Sequence, residues 1–194
     1  MGNPDRIEDE ELIKAFLDGD RDAFESLVLR HEKSVCNLIH SITRNPSYVD
    51  DIAQEIFWKV YLNLKKFKGK SSFKTWLYRI TVNECLKELR RATSSKKLRA
   101  KLADEKSGLS SISNEVIDKK EEQDKIRELV NSLSHLHRTI LFLRYNEGLS
   151  VKEMAQILNC PSGTVGSRLH NARNELKDLL LPFMKERGED NSEH

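Results

Sequence analysis

The sequence is poor in cysteine, glycine, proline and long apolar runs, and each scarcity excludes a class of protein. Three widely spaced cysteines, never arranged as CxxC or beside a close pair of histidines, argue against a disulfide framework and a structural zinc site. Eight glycines and four prolines in 194 residues are too few for a turn-rich sandwich or barrel. Because no apolar run reaches about 18 residues and the N-terminus is acidic, we expect no membrane insertion and no signal peptide, hence a soluble, cytoplasmic protein.

The charge is unevenly distributed although its total is nearly neutral. The chain has 33 Lys and Arg against 31 Asp and Glu, a net charge of +2. Residues 59–101 hold 14 basic and two acidic residues, a net +12, whereas residues 1–58 sum to −7 and residues 102–194 to −3. A basic block between acidic segments suits contact with a polyanion, although a solvated helical face would give the same count.

Apolar residues recur at spacings of three and four along most of the chain, which predicts an all-α fold. Four such stripes fall within residues 1–92. The pattern fades over 93–114, where Ser, Lys and Gly dominate, and it returns from Ile126 onward. We therefore expect two small helical domains, at 1–92 and 115–194, joined by a flexible linker at 93–114.

Near the C-terminus the sequence predicts a helix-turn-helix. Ser150 and Glu153 form an S-x-x-E capping box before a short helix that ends at Leu158, and a second helix begins around Ser162. In such a pair the second helix enters the major groove of DNA, although a plain pair of helices with a solvated face has the same pattern. Its outward face carries small or hydrogen-bonding side chains that suit base edges and phosphates: Ser162, Gly163, Thr164, Gly166, Ser167, Arg168, His170, Asn171 and Arg173.

Two long strings give the chain a family resemblance. SVKEMAQILNCPSGTVGSRLHNARNELKDLL resembles the C-terminal promoter-binding domain of bacterial sigma factors of the extracytoplasmic-function (ECF) class. DDIAQEIFWKVYLNLKKFKGKSSFKTWLYRITVNECLKELRR is similar to the other sigma domain, with its D-x-x-Q-E-x-F and F-x-G-x-S-x-F-x-T-W-L-Y-R-I-x-x-N patterns. The resemblance implies a protein that binds core RNA polymerase, directs it to promoters and opens the DNA, in a stress or envelope response and under the control of an anti-sigma factor.

The resemblance also implies roles for residues of the first domain. Asp51, Gln54 and Glu55 would contact the coiled-coil clamp helices of the largest polymerase subunit. The loop around Phe67 would capture a base flipped from the melted minus-ten element, while neighbouring residues hold phosphates or help to read the base. This minus-ten set is Lys59, Phe67, Lys68, Gly69, Lys70, Ser71, Ser72 and Asn83. Most other aromatic rings of the basic block lie on apolar stripes, and we expect Phe57, Tyr61, Phe73 and Trp76 to be structural.

The second-domain set would bind the duplex minus-35 element, but it departs from the family pattern at two positions. Family members usually have Lys or Arg where this chain has Gly166, and frequently Arg where it has Asn171. Fewer cations predict weaker binding with a flatter salt dependence.

The alternative function is a stand-alone helix-turn-helix regulator that binds duplex DNA, usually as a dimer, without polymerase. A Ser-His-Asp string, a phosphate-binding G-x-x-x-x-G-K-(S/T) loop and an H-E-x-x-H pair are all absent from the sequence. We therefore expect no catalysis, no cofactor and no metal.

Overall fold

The computed structural model describes residues 8–100, 126 and 128–186, and in these ranges the chain is helical without a strand. The all-α prediction is confirmed. Short helical turns at Pro46–Tyr48, Leu64–Lys66 and Phe142–Asn146 connect longer helices. The longer helices are α1 (Asp9–Leu17), α2 (Asp22–Thr43), α3 (Val49–Asn63), α4 (Phe73–Ala100), α5 (His135–Leu141), α6 (Val151–Leu158) and α7 (Ser162–Glu186).

Serine side chains cap the starts of three helices. The Ser72 hydroxyl accepts from the Thr75 amide at 3.2 Å and begins α4, and Ser134 does the same for α5 through the His137 amide. At α6 the capping box is complete, because the Ser150 hydroxyl accepts from the Glu153 amide while the Glu153 carboxylate accepts from the Ser150 amide. Each cap satisfies an amide that the helix itself leaves without a partner.

Helix α4 is longer than the sequence pattern suggests. It runs eight residues beyond position 92, into the segment that we expect to be linker. Its stretch 93–100 contains neither Gly nor Pro and is rich in Lys, Arg, Leu and Ala, so the polar composition does not interrupt the helix. The rest of the expected linker, 101–114, lies outside the described residues.

The first domain packs around α2, whose buried face contacts α1, α3 and α4. The Asp9 carboxylate of α1 accepts from Arg30 at 2.7 Å and contacts Nε2 of His31 at 2.9 Å. These two contacts join α1 to α2. Phe73 is fully buried, whereas Phe57, Tyr61 and Trp76 are half-buried against the core. The buried residues of this domain are led by Leu27, Val35, Leu38, Ile39, Ile42, Ile56, Leu77 and Tyr78.

The second domain has its own apolar centre and also packs on the first. Helices α5, α6 and α7 enclose Ile140, Met154, Ile157 and Val165, all fully buried. Helix α5 contacts the C-terminal part of α2, and α6 contacts α4. Among the helices described, none is both long and apolar enough to span a membrane.

Candidate nucleic-acid interface

One surface is an apolar groove between α2 and α3, called here the α2–α3 groove. It has a volume of about 560 Å³, and Gln54 lies on its wall. The indole of Trp58 is 61% exposed and stacks on Tyr61 with ring centroids 5.8 Å apart. The lining residues are Phe24, Val28, Glu32, Cys36, Asp50, Ala53, Gln54, Phe57, Trp58 and Tyr61. An exposed, stacked aromatic pair beside polar side chains is typical of a protein-binding surface.

Asp51 and Glu55, which the resemblance assigns to the polymerase contact together with Gln54, lie on a different face of α3. Asp51 and Glu55 are one helical turn apart, and neither lines the α2–α3 groove. Glu55 accepts from the Lys59 ammonium at 2.7 Å, and this hydrogen bond lowers the pKa of the Glu55 carboxyl. The predicted trio therefore occupies two neighbouring faces of one helix.

Lys59 forms ion pairs with two carboxylates. Its ammonium contacts Glu84 of α4 as well as Glu55. Burial opposes the charged form, but the hydrogen bonds to the two carboxylates outweigh it and raise the pKa of Lys59. A phosphate at Lys59 would have to compete with both carboxylates.

A second surface is a cationic cleft at the loop between α3 and α4, called here the basic cleft. Its volume is about 380 Å³, and within the described parts of the chain every charged side chain that lines it is cationic. Gly69 turns the loop with φ +64°, a left-handed conformation that favours glycine. The residues lining the cleft are Lys66, Phe67, Lys68, Lys70, Ser71, Thr75, Trp76, Arg79, Gln156 and Asn159. Four of the predicted minus-ten residues, Phe67, Lys68, Lys70 and Ser71, thus meet at one site.

Phe67 lies in a loop, but its ring packs against aromatic side chains of α4. Its ring packs on Trp76 with centroids 5.4 Å apart and lies edge-on to Phe73 at 6.0 Å. Trp76, which the sequence pattern assigns to the core, also lines the basic cleft. The aromatic face available for stacking is therefore a pair of rings supported by the core.

Six residues of the basic cleft are absent from the predicted set: Lys66, Thr75, Arg79, Gln156 and Asn159, together with Trp76, which the sequence pattern assigns to the core. Lys66 precedes the loop, and Arg79 lies on α4 one turn before the exposed Asn83. The four-residue spacing of positions 75, 79 and 83 places them on one face of α4, a signal that could have identified Arg79. Gln156 and Asn159 belong to α6 and its end, and only the packing of α6 on α4 brings them to the cleft.

The third surface is the exposed face of α7. The polypeptide leaves α6 through Asn159, which has φ +48°, and re-enters a helix at Ser162, so the predicted helix-turn-helix is present. Val165 and Ala172 are fully buried against the domain. Thr164 and Arg168 are half-buried, and the remaining members of the predicted set are exposed: Ser162, Gly163, Gly166, Ser167, His170, Asn171 and Arg173.

Several polar groups on this face already have partners within the domain. The Ser167 hydroxyl donates to the Gly163 carbonyl at 2.7 Å, and the His170 ring contacts the Asn174 amide at 3.0 Å. A Cβ at Gly166 would meet no atom within 4 Å, so the glycine is not required by packing. The centre of this face therefore has open space at Gly166, and Arg168, two residues later, is half-buried.

Family comparisons match both halves of the chain. The description "Sigma-70 region 2" matches residues 27–95, and "Sigma-70, region 4" matches residues 123–176. The chain is 33% identical to the RNA polymerase sigma-H factor of Pseudomonas aeruginosa, over 92% of this chain and 97% of that protein. It is also 33% identical to the ECF RNA polymerase sigma-E factor of Escherichia coli K12, over 93% of this chain and 98% of that protein. The chain belongs to the ECF sigma factors.

Solved structures agree with the fold of this ECF sigma factor. CnrH in complex with the cytosolic domain of CnrY superimposes with a TM-score of 0.62 at 24% identity, covering 89% of this chain and 96% of that one. The sigma factor RpoE in complex with the anti-sigma factor NepR from Bartonella quintana gives a TM-score of 0.65 at 24% identity, covering 81% and 96%. Matches to both sigma regions disfavour the alternative of a stand-alone regulator, and a sigma factor directs RNA polymerase to promoters.

Proposed function

We propose that this ECF sigma factor opens promoters by using the basic cleft to hold the melted minus-ten strand. The observation that supports this proposal is that Phe67 and Trp76 lie among four cations, with no carboxylate among the described residues that line the cleft. Base stacking on an aromatic ring contributes about 1–3 kcal/mol per base, and flipping a base costs a few kcal/mol. Capture of one or two bases therefore offsets local melting without hydrolysis of a nucleotide by this protein.

Within the cleft, Lys68 and Lys70 hold phosphates and Arg79 positions the captured strand. Asn83, exposed one turn further along α4 and outside the lining of the cleft, helps to read the strand. Ser71 and Ser72 supply hydroxyls at the rim, and Gly69 lets the backbone approach. Lys59 is better suited to fixing the orientation of Glu55, since it bonds two carboxylates.

The α2–α3 groove is the proposed site for core polymerase. Gln54 and Trp58 offer one amide and one large exposed ring at its edge. Asp51 and Glu55 extend the contact onto the next face of α3. Helices of a partner fit a groove of this kind through apolar anchors surrounded by polar contacts.

The exposed face of α7 is the proposed minus-35 reader, with Arg168 and Arg173 as its cations and Asn171 able to address an adenine edge. Since one solved neighbour is the sigma factor RpoE in complex with the anti-sigma factor NepR, we also propose an anti-sigma factor for this chain. The sigma factor itself acts in the cytoplasm, where RNA polymerase acts, and it recognises promoters rather than catalysing a reaction.

Run-off transcription with purified core polymerase and genomic fragments tests the proposal. We expect new start sites when the sigma factor is added, and their absence would refute the function. The double variant Lys68→Gln, Lys70→Gln should reduce open-complex formation with duplex binding less affected. The control is Lys14→Gln, Lys33→Gln, which removes the same charge from exposed positions of α1 and α2. Equal losses in the two double variants would contradict a specific role for the basic cleft.

A further inference from the structure

Two amide side chains line the basic cleft without a part in the proposed capture of the minus-ten strand. Gln156 lies in α6 and Asn159 directly follows that helix, and both are exposed. Each amide carries, side by side, an oxygen that accepts hydrogen bonds and an amino group that donates them. The edge of adenine presents the matching acceptor and donor at N7 and N6, so one amide can pair with it through two bonds. The cleft therefore has groups suited to recognising a base by its edge.

The aromatic part of the cleft suits one base rather than several. The rings of Phe67 and Trp76 are inclined to one another by 53°, with centroids 5.4 Å apart. Because of this angle, the two rings do not form a continuous stacking surface for successive bases. Phe73, which is fully buried, contacts both rings at centroid distances of 6.0 and 5.9 Å and fixes their positions. The cleft thus offers one stacking site in a fixed position.

Four cations surround this stacking site. Lys66, Lys68 and Lys70 lie between α3 and α4, Arg79 lies on α4, and all four side chains are exposed. Like charges held close together repel one another, and an anion with several charges relieves that repulsion. A chain of phosphates is such an anion. The cleft volume of about 380 Å³ lies within the range of about 300–1,000 Å³ that is typical of small-molecule sites.

We propose that the basic cleft binds one molecule of free adenosine triphosphate (ATP). The adenine stacks on Phe67 or Trp76, and its phosphates contact the four cations. The N6 and N7 edge of the adenine pairs with the amide of Gln156 or Asn159, and no bond of the nucleotide is broken. The nucleotide occupies the rings and cations assigned to the minus-ten strand, so the two ligands exclude each other. That competition rests on the proposed function, whereas the nucleotide site rests on the residues that line the cleft.

Titration of ATP into the full, free chain tests the site. The variant Trp58→Phe leaves Trp76 as the single tryptophan, and we expect saturable quenching of its emission. Inorganic triphosphate is the control ligand, because it carries the phosphates without a base. Since only the nucleotide can stack, ATP should bind at least about fivefold more tightly than triphosphate. Equal affinities, measured by isothermal titration calorimetry, would mean that the cleft attracts charge alone and would overturn the inference.

The double variant Gln156→Ala, Asn159→Gly tests recognition of the base edge, with folding checked by circular dichroism. Glycine is used at position 159 because the backbone there has φ +48°. The parent should prefer ATP to guanosine triphosphate, whose edge offers two acceptors, and the variant should bind both alike. The matched control Asn37→Ala removes an exposed amide from α2 and should keep the preference.

A parent without a preference for ATP, or a folded double variant that retains one, would also overturn the inference. Neither titration contains polymerase or promoter DNA. A negative result therefore leaves run-off activity, and with it the proposed function, intact.

Discussion

Replacing Gly166 by arginine should strengthen minus-35 binding and make it more sensitive to salt. Gly166 is exposed near the middle of the proposed reading face of α7, and a Cβ there would meet nothing within 4 Å. An arginine can therefore be introduced without displacing a neighbour. The arginine would lie two turns before Arg173, so the two cations would share one side of the helix.

The size of the effect follows from counterion release. One additional phosphate contact steepens the dependence of log affinity on log salt by about 0.9. At 0.1 M salt this corresponds to about eightfold tighter binding, taking 1 M as the reference. Between 50 and 200 mM salt, the variant should lose about 3.5-fold more affinity than the parent.

The assay is fluorescence anisotropy of the reconstituted holoenzyme on a labelled promoter fragment, titrated at several salt concentrations. Gly166→Ala is the matched control, because alanine removes the backbone freedom of glycine, as arginine does, and stabilises the helix by about 0.5–1 kcal/mol. The control should raise the melting temperature without changing the salt slope. If Gly166→Arg and Gly166→Ala share one slope, the arginine does not reach a phosphate and the account of α7 is wrong.

Three further predictions concern local interactions. Ser150→Ala should lower the free energy of unfolding in urea by about 1 kcal/mol, because it removes a helix cap. Hydrogen bonds from Ser150 lower the pKa of Glu153 below 4.5 in the folded protein. The stabilisation from these hydrogen bonds should therefore persist above that pH and be lost as the pH falls through the pKa of Glu153 in the folded state. Parallel urea titrations of the parent and Ser150→Ala at several pH values measure this loss. Burial raises the pKa of the Cys85 thiol to about 12, so iodoacetamide at pH 8 should label the half-buried Cys160 well before Cys85, by mass spectrometry. Phe73→Ala should cost about 3–5 kcal/mol in the same unfolding assay, and a loss below 1 kcal/mol would contradict its place at the centre of the core.

The features predicted best are those determined by neighbouring residues. The capping box at Ser150 involves an amide three positions away, so composition and spacing suffice to locate it. The outward face of α7 follows from the burial of Val165 and Ala172 at a helical spacing. For these elements local chemistry and tertiary structure agree.

The features missed depend on residues far apart in the chain. The ion pair between Lys59 and Glu84 joins residues 25 positions apart on two different helices. Gln156 and Asn159 enter the basic cleft only because α6 packs on α4. Periodicity carries no information on which helix faces meet, so neither the ion pair nor the composite cleft could be derived from the pattern.

The two tryptophans of the chain divide between its two principal surfaces in the first domain. Trp58 lies in the α2–α3 groove with its indole largely exposed, and Trp76 lines the basic cleft in a more enclosed position. Each is thus a built-in fluorophore for one binding event. In Trp76→Phe, a blue shift of the Trp58 emission would report polymerase docking at the proposed site. In Trp58→Phe, quenching of the Trp76 emission would report stacking of a DNA base. The order in which the two partners arrive can therefore be timed by stopped-flow spectroscopy without attaching a dye.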